Sequence, residues 1–185
     1  MLRLASGLKR GVVKTRADIL SEKEVKALSK ALKNNKNEDY FYIWRIGITT
    51  GLRVSDILNL RAETITTQKP YIKEIKTGKH RRIYIQKEIF EYISRKRKSL
   101  KPKEKVFSMT RQAVWKTFKR TAKDIGITKN IGTHTMRRTF SKKYMQKNGI
   151  YKLKKVLNHE CLSDTVFYTI SNAEFQGEST TKERS

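Results

Sequence analysis

His134 and Arg137, in the stretch GTHTMRRTF, stand three residues apart at the start of an expected helix, so their side chains leave one face a turn apart. The positive end of the helix dipole adds to the attraction of that spot for a phosphate. A second arginine, Arg53 in TGLRVSDILNL, comes just after a glycine turn. Leu52, Ile57, Leu58 and Leu60 can anchor the turn in a core, and Asp56 stands one turn on to orient the guanidinium. An arginine held in this way is set for two-pronged contact with phosphate oxygens. The third place is LNHECLSDTVFYTI, where His159 precedes Tyr168 by nine residues. Taken singly, each feature has an ordinary structural reading. HxxR falls on many solvated helix faces, Arg53 with Asp56 makes a plain ion pair, and a lone histidine packs into a surface.

The charge of the whole chain favours the chemical reading. Lys and Arg number 43 against 17 Asp and Glu, a net charge of +26, and a surplus of that size calls for a polyanion because self-repulsion opposes compaction. Nucleic acid is the expected partner. A membrane surface suits the pattern less well, since the basic residues run through the whole chain instead of lining one helix face. A single cysteine, Cys161, allows no internal disulfide and fits a reducing compartment. The opening MLRLASGLKRGVVK lacks the apolar core of a secretory signal, and no apolar run reaches the length of a membrane span. These features predict a soluble, cytoplasmic protein. Neither a GxxxxGK[ST] phosphate loop nor a GxSxG elbow occurs. No Cys/His cluster has zinc spacing and no acidic cluster suits magnesium, so no metal or other cofactor is expected.

The elements that must position these residues are mostly helices. Residues 1–20 carry Arg3, Lys9, Arg10, Lys14 and Arg16 without a sustained period and read as a basic arm or linker. Ser21 and Glu24 have the spacing of a capping box, which predicts a helix to about Leu32 with Val25, Leu28 and Leu32 on its buried stripe. Tyr40 to Thr50 is apolar on most sides and reads as a central core helix. Its aromatics, Tyr40, Phe41, Tyr42 and Trp44, are therefore expected to pack rather than to stack on bases. Gly51 can end this helix in the left-handed conformation, and a short helix, Val54 to Leu60, follows. The period then falls to two: Tyr71 to Ile75 and Arg81 to Ile85 flank the hairpin turn Thr77-Gly78-Lys79. With Thr64 to Thr67 counted, a three-stranded antiparallel sheet is expected. Helical spacing returns over 87–97, 110–125, 133–147, 151–157 and 163–168, and a polar tail, 177–185, is expected to be disordered. The fold class is α+β, one mostly helical domain over 21–176 with a small sheet.

In this order and spacing, TGLRVSDILNL, KTGKHRRIYI, HTMRRTF and LNHECLSDTVFYT resemble the tyrosine recombinase, or phage integrase, family over about residues 21–170. The resemblance implies the fold of that family's catalytic domain. It also implies a set of catalytic roles for Arg53, Lys76, His134, Arg137, His159 and Tyr168, with Lys79 as the competitor of Lys76 for the place of the hairpin lysine. Two departures stand out. Asn158 occupies the place where the family usually has glycine, which bears on the turn before His159, and Arg138 replaces a frequent histidine. Only 20 residues precede the matching region, whereas many members carry a separate DNA-clamping domain there.

The reaction implied is attack of the Tyr168 hydroxyl on a DNA phosphodiester, giving a 3′-phosphotyrosyl link and a free 5′-hydroxyl. A phenol has a pKa of about 10, so Tyr168 needs help, and His134 is placed to take its proton. Arg53 and Arg137 would stabilise the charge gathering on the non-bridging oxygens, with His159 donating to the same atoms. Lys76 would protonate the departing oxygen. The scheme needs neither metal nor ATP. Lys79, Arg81 and Arg82 at the hairpin are expected to bind DNA, as are the 95–98 run and Arg111, Lys116, Lys119 and Arg120. The family implies a homotetramer on two synapsed duplexes. The short, polar stretch after Tyr168 predicts a monomer free in solution. The competing readings are a type IB topoisomerase-like enzyme and a non-catalytic DNA-binding protein.

Overall fold

Ser21 opens the first helix as its spacing predicts. Its hydroxyl accepts from the Glu24 amide at 3.3 Å, and its own amide donates to the Glu24 carboxylate at 2.7 Å. The helix, α1 (Glu22–Lys33), buries Leu28 and Leu32 completely, each contributing about 1.5–3 kcal/mol of apolar burial. Structure is described for residues 16–170 of the chain, from a computed structural model. The tail expected at 177–185 and most of the expected arm lie outside those residues.

The central helix is α2 (Asp39–Thr50). Trp44 is fully buried, meets Phe118 edge-on with ring centroids 5.5 Å apart, and donates its indole N–H to Ser29 at 2.9 Å. Phe41 is buried too, while Tyr40 and Tyr42 pack against the core from its rim, so this aromatic run does serve packing. Gly51 ends α2 at φ 65°, and a Cβ there would stand 2.3 Å from the Phe140 ring. That position requires glycine on both counts. The next helix, α3 (Val54–Leu58), is shorter than predicted because Asn59 and Leu60 turn back with tight bonds to Asp56 and Ile57.

The sheet has two strands, not three. β1 (Tyr71–Lys73) and β2 (His80–Arg82) pair antiparallel, with Ile72 opposite Arg81. Thr64 to Thr67 forms no strand; Thr64 turns back onto Arg61. The chain beyond it, 68–70, does run beside 83–85 through Ile83 to Pro70 at 3.1 Å and Ile85 to Gln68 at 2.8 Å. Pro70 has no N–H to return, so the ladder stops there.

Five further helices complete the fold: α4 (Lys87–Arg97), α5 (Arg111–Asp124), α6 (Thr135–Asn148), α7 (Ile150–Leu157) and α8 (Leu162–Thr169). Thr110 caps α5 with a 3.1 Å bond to the Ala113 amide. Gly149 alone separates α6 from α7. α7 ends at Asn158, which takes φ 55°. Asparagine is the residue that best tolerates the left-handed region after glycine, so the departure at this position keeps the form of the turn. α6 lies at the centre of this half of the molecule and packs against α2, α7 and α8.

Residues 16–20 are not a loose arm. Leu20 is buried and donates its amide to Thr139 at 3.1 Å. Asp18 and Asn130 exchange bonds of 2.8 and 2.7 Å. Arg138 donates to the carbonyls of Ala17 and Ile170, and the Arg16 guanidinium lies 3.6 Å from the centre of the Phe167 ring. This segment straps α6 to α8.

Candidate active site

Arg53 occupies the cap position of α3 with extended backbone, φ −69° and ψ 147°. Its nearest partner is Glu74, at 2.8 Å from Nη1 to Oε2, while Asp56 stands 4.0 Å away. Asp56 does not hold the guanidinium directly. Its Oδ1 instead accepts the Ile75 amide at 3.0 Å, and burial raises its pKa above the usual carboxylate range despite that bond. Glu74 is completely buried. It is the carboxylate that sequence reasoning missed. The available signal was its place at an inward position of a period-two strand, two residues from Ile72.

Arg81 shares that interior. It is buried, donates to the Thr50 carbonyl, and lies 3.5 Å from Glu74 Oε1. An arginine turned inward cannot follow a DNA backbone, so the surface role expected for Arg81 is corrected by alternation: Ile72 and Arg81 face in while Tyr71, Lys73, His80 and Arg82 face out. Arg82 is exposed over the Tyr71 ring at 5.6 Å. Lys76 is exposed on the turn, close enough for its charge to contribute to the lowered pKa of His134. Lys79 is bound to Glu160 at 2.8 Å. In the 95–98 run, Lys96 is committed to Asp39 at 2.6 Å and Arg97 to the Ile65 carbonyl at 2.8 Å, leaving Arg95 and Lys98 at the surface. On α5, Arg111 bonds Thr133 at 3.2 Å, and Lys116, Lys119 and Arg120 are exposed.

Arg137 is 1% exposed. Its Nη1 donates to the Gly51 carbonyl at 2.9 Å, and its Nη2 lies 3.1 Å from the Leu157 carbonyl and 3.0 Å from His159 Nε2. One guanidinium therefore ties the end of α2, the end of α7 and the histidine turn together. Burial first, and then the neighbouring Arg53, push its pKa down to about 10, which leaves it charged at neutral pH.

The bond to His159 fixes a tautomer. A guanidinium can only donate, so Nε2 accepts, the ring proton sits on Nδ1, and Nδ1–H donates to Thr165 Oγ1 at 3.1 Å. Thr165 is fully buried on α8. Burial, with the charges of Arg137 and Arg53, pushes the His159 pKa down to about 4. His134 stands at the start of α6 with part of its ring open to solvent. Its pKa is also lowered, by the desolvation of the ring first and then by Arg111, Arg137, Arg53 and Lys76. Both histidines are neutral at pH 7.

Tyr168 faces this cluster from α8 of the same chain. Its ring centroid lies 5.3 Å from that of His159 and 6.0 Å from that of His134, and the Arg137 guanidinium carbon is 5.3 Å from it. Arg53, His134, Arg137, His159 and Tyr168 thus surround one place, with Lys76 at its edge. Two buried guanidiniums, Arg81 and Arg137, and the partly exposed Arg53 face two buried carboxylates, Asp56 and Glu74. The balance is positive and suits an anion. Among the described residues no three His, Cys, Asp or Glu side chains gather as a metal site, and no helix is long and apolar enough to cross a membrane.

Known proteins resemble this chain over most of its length. The sequence profile of the phage integrase family matches residues 18–174. The probable integrase/recombinase YoeC of Bacillus subtilis is 31% identical over 163 residues, covering 81% of this chain and 87% of that protein. The chain spans a smaller share of other relatives: 44% of the integrase of Haemophilus phage HP1 and 59% of the tyrosine recombinase XerA of Pyrococcus furiosus, at 28% and 30% identity over 83% and 85% of this chain. Among solved structures, the catalytic domain of bacteriophage HP1 integrase superposes with a TM-score of 0.68 at 24% identity, over 89% of this chain and 95% of that one. XerH bound to its difH substrate, a pre-cleavage complex, gives 0.69 at 20% identity over 86% and 52%.

Proposed function

The chain belongs to the phage integrase family, and from that premise we propose that it is a tyrosine-type site-specific recombinase acting on double-stranded DNA. The observation that carries this reading is the convergence of Arg53, His134, Arg137, His159 and Tyr168, residues spread from position 53 to position 168, around one place.

The Tyr168 oxygen attacks the phosphorus of a DNA phosphodiester, the bond from phosphorus to the 5′-oxygen breaks, and a 3′-phosphotyrosyl link forms. Neutral His134 accepts the phenol proton. Lys76 delivers a proton to the leaving 5′-oxygen. Of the two hairpin lysines it is favoured because Lys79 is already paired with Glu160. The Arg53 guanidinium donates from Nη1 to Glu74 and makes no other hydrogen bond among the described residues, so its remaining N–H groups serve the non-bridging oxygens. Arg137 and His159 must rearrange as the phosphate enters, since each now satisfies the other. His159 can donate from Nε2 once its proton moves there, and the Thr165 hydroxyl, able to donate as well as accept, then supplies Nδ1. Running the same steps backwards reseals a strand without an external energy source. The reaction takes place in the cytoplasm where the DNA lies, with a monomer in solution and a tetramer on paired sites. XerH, a protein of this fold, is a site-specific recombinase whose structure holds it bound to its difH substrate.

A nicked suicide duplex tests the reading, its core sequence recovered from a random pool by covalent capture with the wild-type protein. Wild type forms a protein-DNA adduct and Tyr168→Phe forms none. Arg53→Ala and Arg137→Ala bind the duplex within several-fold of wild type and cleave it about 10²–10³-fold more slowly. Binding without any adduct, or an adduct formed by Tyr168→Phe, overturns the assignment.

A further inference from the structure

Glu74 plays no direct part in the steps above, yet it is fully buried, and burying a carboxylate is unfavourable unless it is paired. Its partners are specific. Oε2 accepts from Arg53 Nη1 at 2.8 Å and from the Thr77 hydroxyl at 3.1 Å, while Oε1 faces Arg81 Nη1 at 3.5 Å. Its backbone closes the hairpin turn as well, through Glu74 N to Lys79 O and Gly78 N to Glu74 O, both 2.9 Å. On the other side of Lys76, the Ile75 amide is held by Asp56 at 3.0 Å. Both neighbours of Lys76 are therefore tied to carboxylates that face Arg53, and only the lysine side chain is left to move.

We propose that Glu74 is a positioning residue that sets Lys76 and Arg53 relative to one another, so that the group protonating the leaving oxygen and the group gripping the non-bridging oxygens are placed as one unit. This rests on the role assigned to Lys76 above. Arg81 is the second cation facing the carboxylate in the interior.

A substrate that needs no acid separates this role from a merely structural one. Replacing the scissile 5′-oxygen of the same captured duplex by sulfur gives a thiolate leaving group, whose acid has a pKa of about 8.5 and which departs without protonation. The quantity read is the cleavage rate on the sulfur duplex relative to the oxygen duplex. Lys76→Ala loses on the order of 10²-fold or more on oxygen and recovers on sulfur. Glu74→Gln loses on the order of 10- to 100-fold on oxygen, as a misplaced catalytic group does, and its sulfur-to-oxygen ratio rises well above that of wild type. Thr77→Val, at an exposed position, raises the ratio in the same direction and keeps the test open if Glu74→Gln folds poorly. Arg53→Ala leaves the ratio near the wild-type value. If Lys76→Ala recovers on sulfur but Glu74→Gln and Thr77→Val are equally slow on both duplexes, the positioning role is overturned and the reading of Lys76 stands. If Lys76→Ala gains nothing from sulfur, the acid role fails and this inference falls with it.

Discussion

His159 sits between a permanent donor and a hydroxyl of either polarity, and its protonation is set by that company. Its pKa of about 4 in the fold lies below the ordinary value near 6.5. Between those two values the unfolded chain binds more protons than the folded one, so stability is full above about pH 6.5 and falls as pH drops toward 4. The lowered pKa of His134 acts in the same direction. The melting temperature of DNA-free protein should therefore be lower at pH 5 than at pH 7, and each ~1 kcal/mol lost moves it by about 2–4 °C. His159→Gln, which cannot titrate, should show a smaller drop; an equal drop in both proteins would contradict the assignment. At this scale the residues that converge were legible because each sits in a short local pattern: HxxR, an arginine after a glycine turn, a histidine nine residues before a tyrosine. Glu74 and Thr165 were not legible, because Glu74 takes its meaning from Arg53 on another element, and Thr165 from a nearby histidine whose tautomer is set in turn by Arg137 on a different helix.

Turns, more than helices, decide where the site lies. Gly51 ends α2, gives its carbonyl to Arg137, and stands two residues before Arg53. Gly51→Ala places a side chain at φ 65°, costing about 1–2 kcal/mol for the backbone alone, and drives its Cβ against Phe140. A melting temperature lower by several degrees is expected, with adduct formation reduced further because two arginines shift together. Unchanged melting and cleavage would mean that the turn is not a hinge point of the site. The helices themselves were readable from Ser21, Thr110 and the glycines that follow α2, α5 and α6. The third strand was misjudged because β-forming composition at Thr64 to Thr67 says nothing about Pro70, which withholds the N–H a further ladder would use. The burial of Arg81 was visible only once the register placed it opposite Ile72.

Over the whole molecule, composition indicated a basic protein for a polyanionic partner, but it could not separate structural cations from surface ones. Arg81, Arg97, Lys96 and Arg138 are committed to the interior or to carbonyl groups, whereas Arg82, Lys116, Lys119 and Arg120 are exposed. Residues 16–20 read as an arm on composition alone, since the bonds from Asn130, Thr139 and Arg138 that hold them come from more than a hundred residues away. Arg138→Ala releases both the strap and the end of α8. Faster amide hydrogen exchange over 162–169 is the expected result, with little change in α1; uniform exchange across the two helices would remove the strap from the account.

Arg16 lies on the ring of Phe167, one position from Tyr168. Tension on the backbone at Arg16 would accordingly pass through Phe167 to Tyr168, so that the strap works as a leash on the residue proposed as nucleophile.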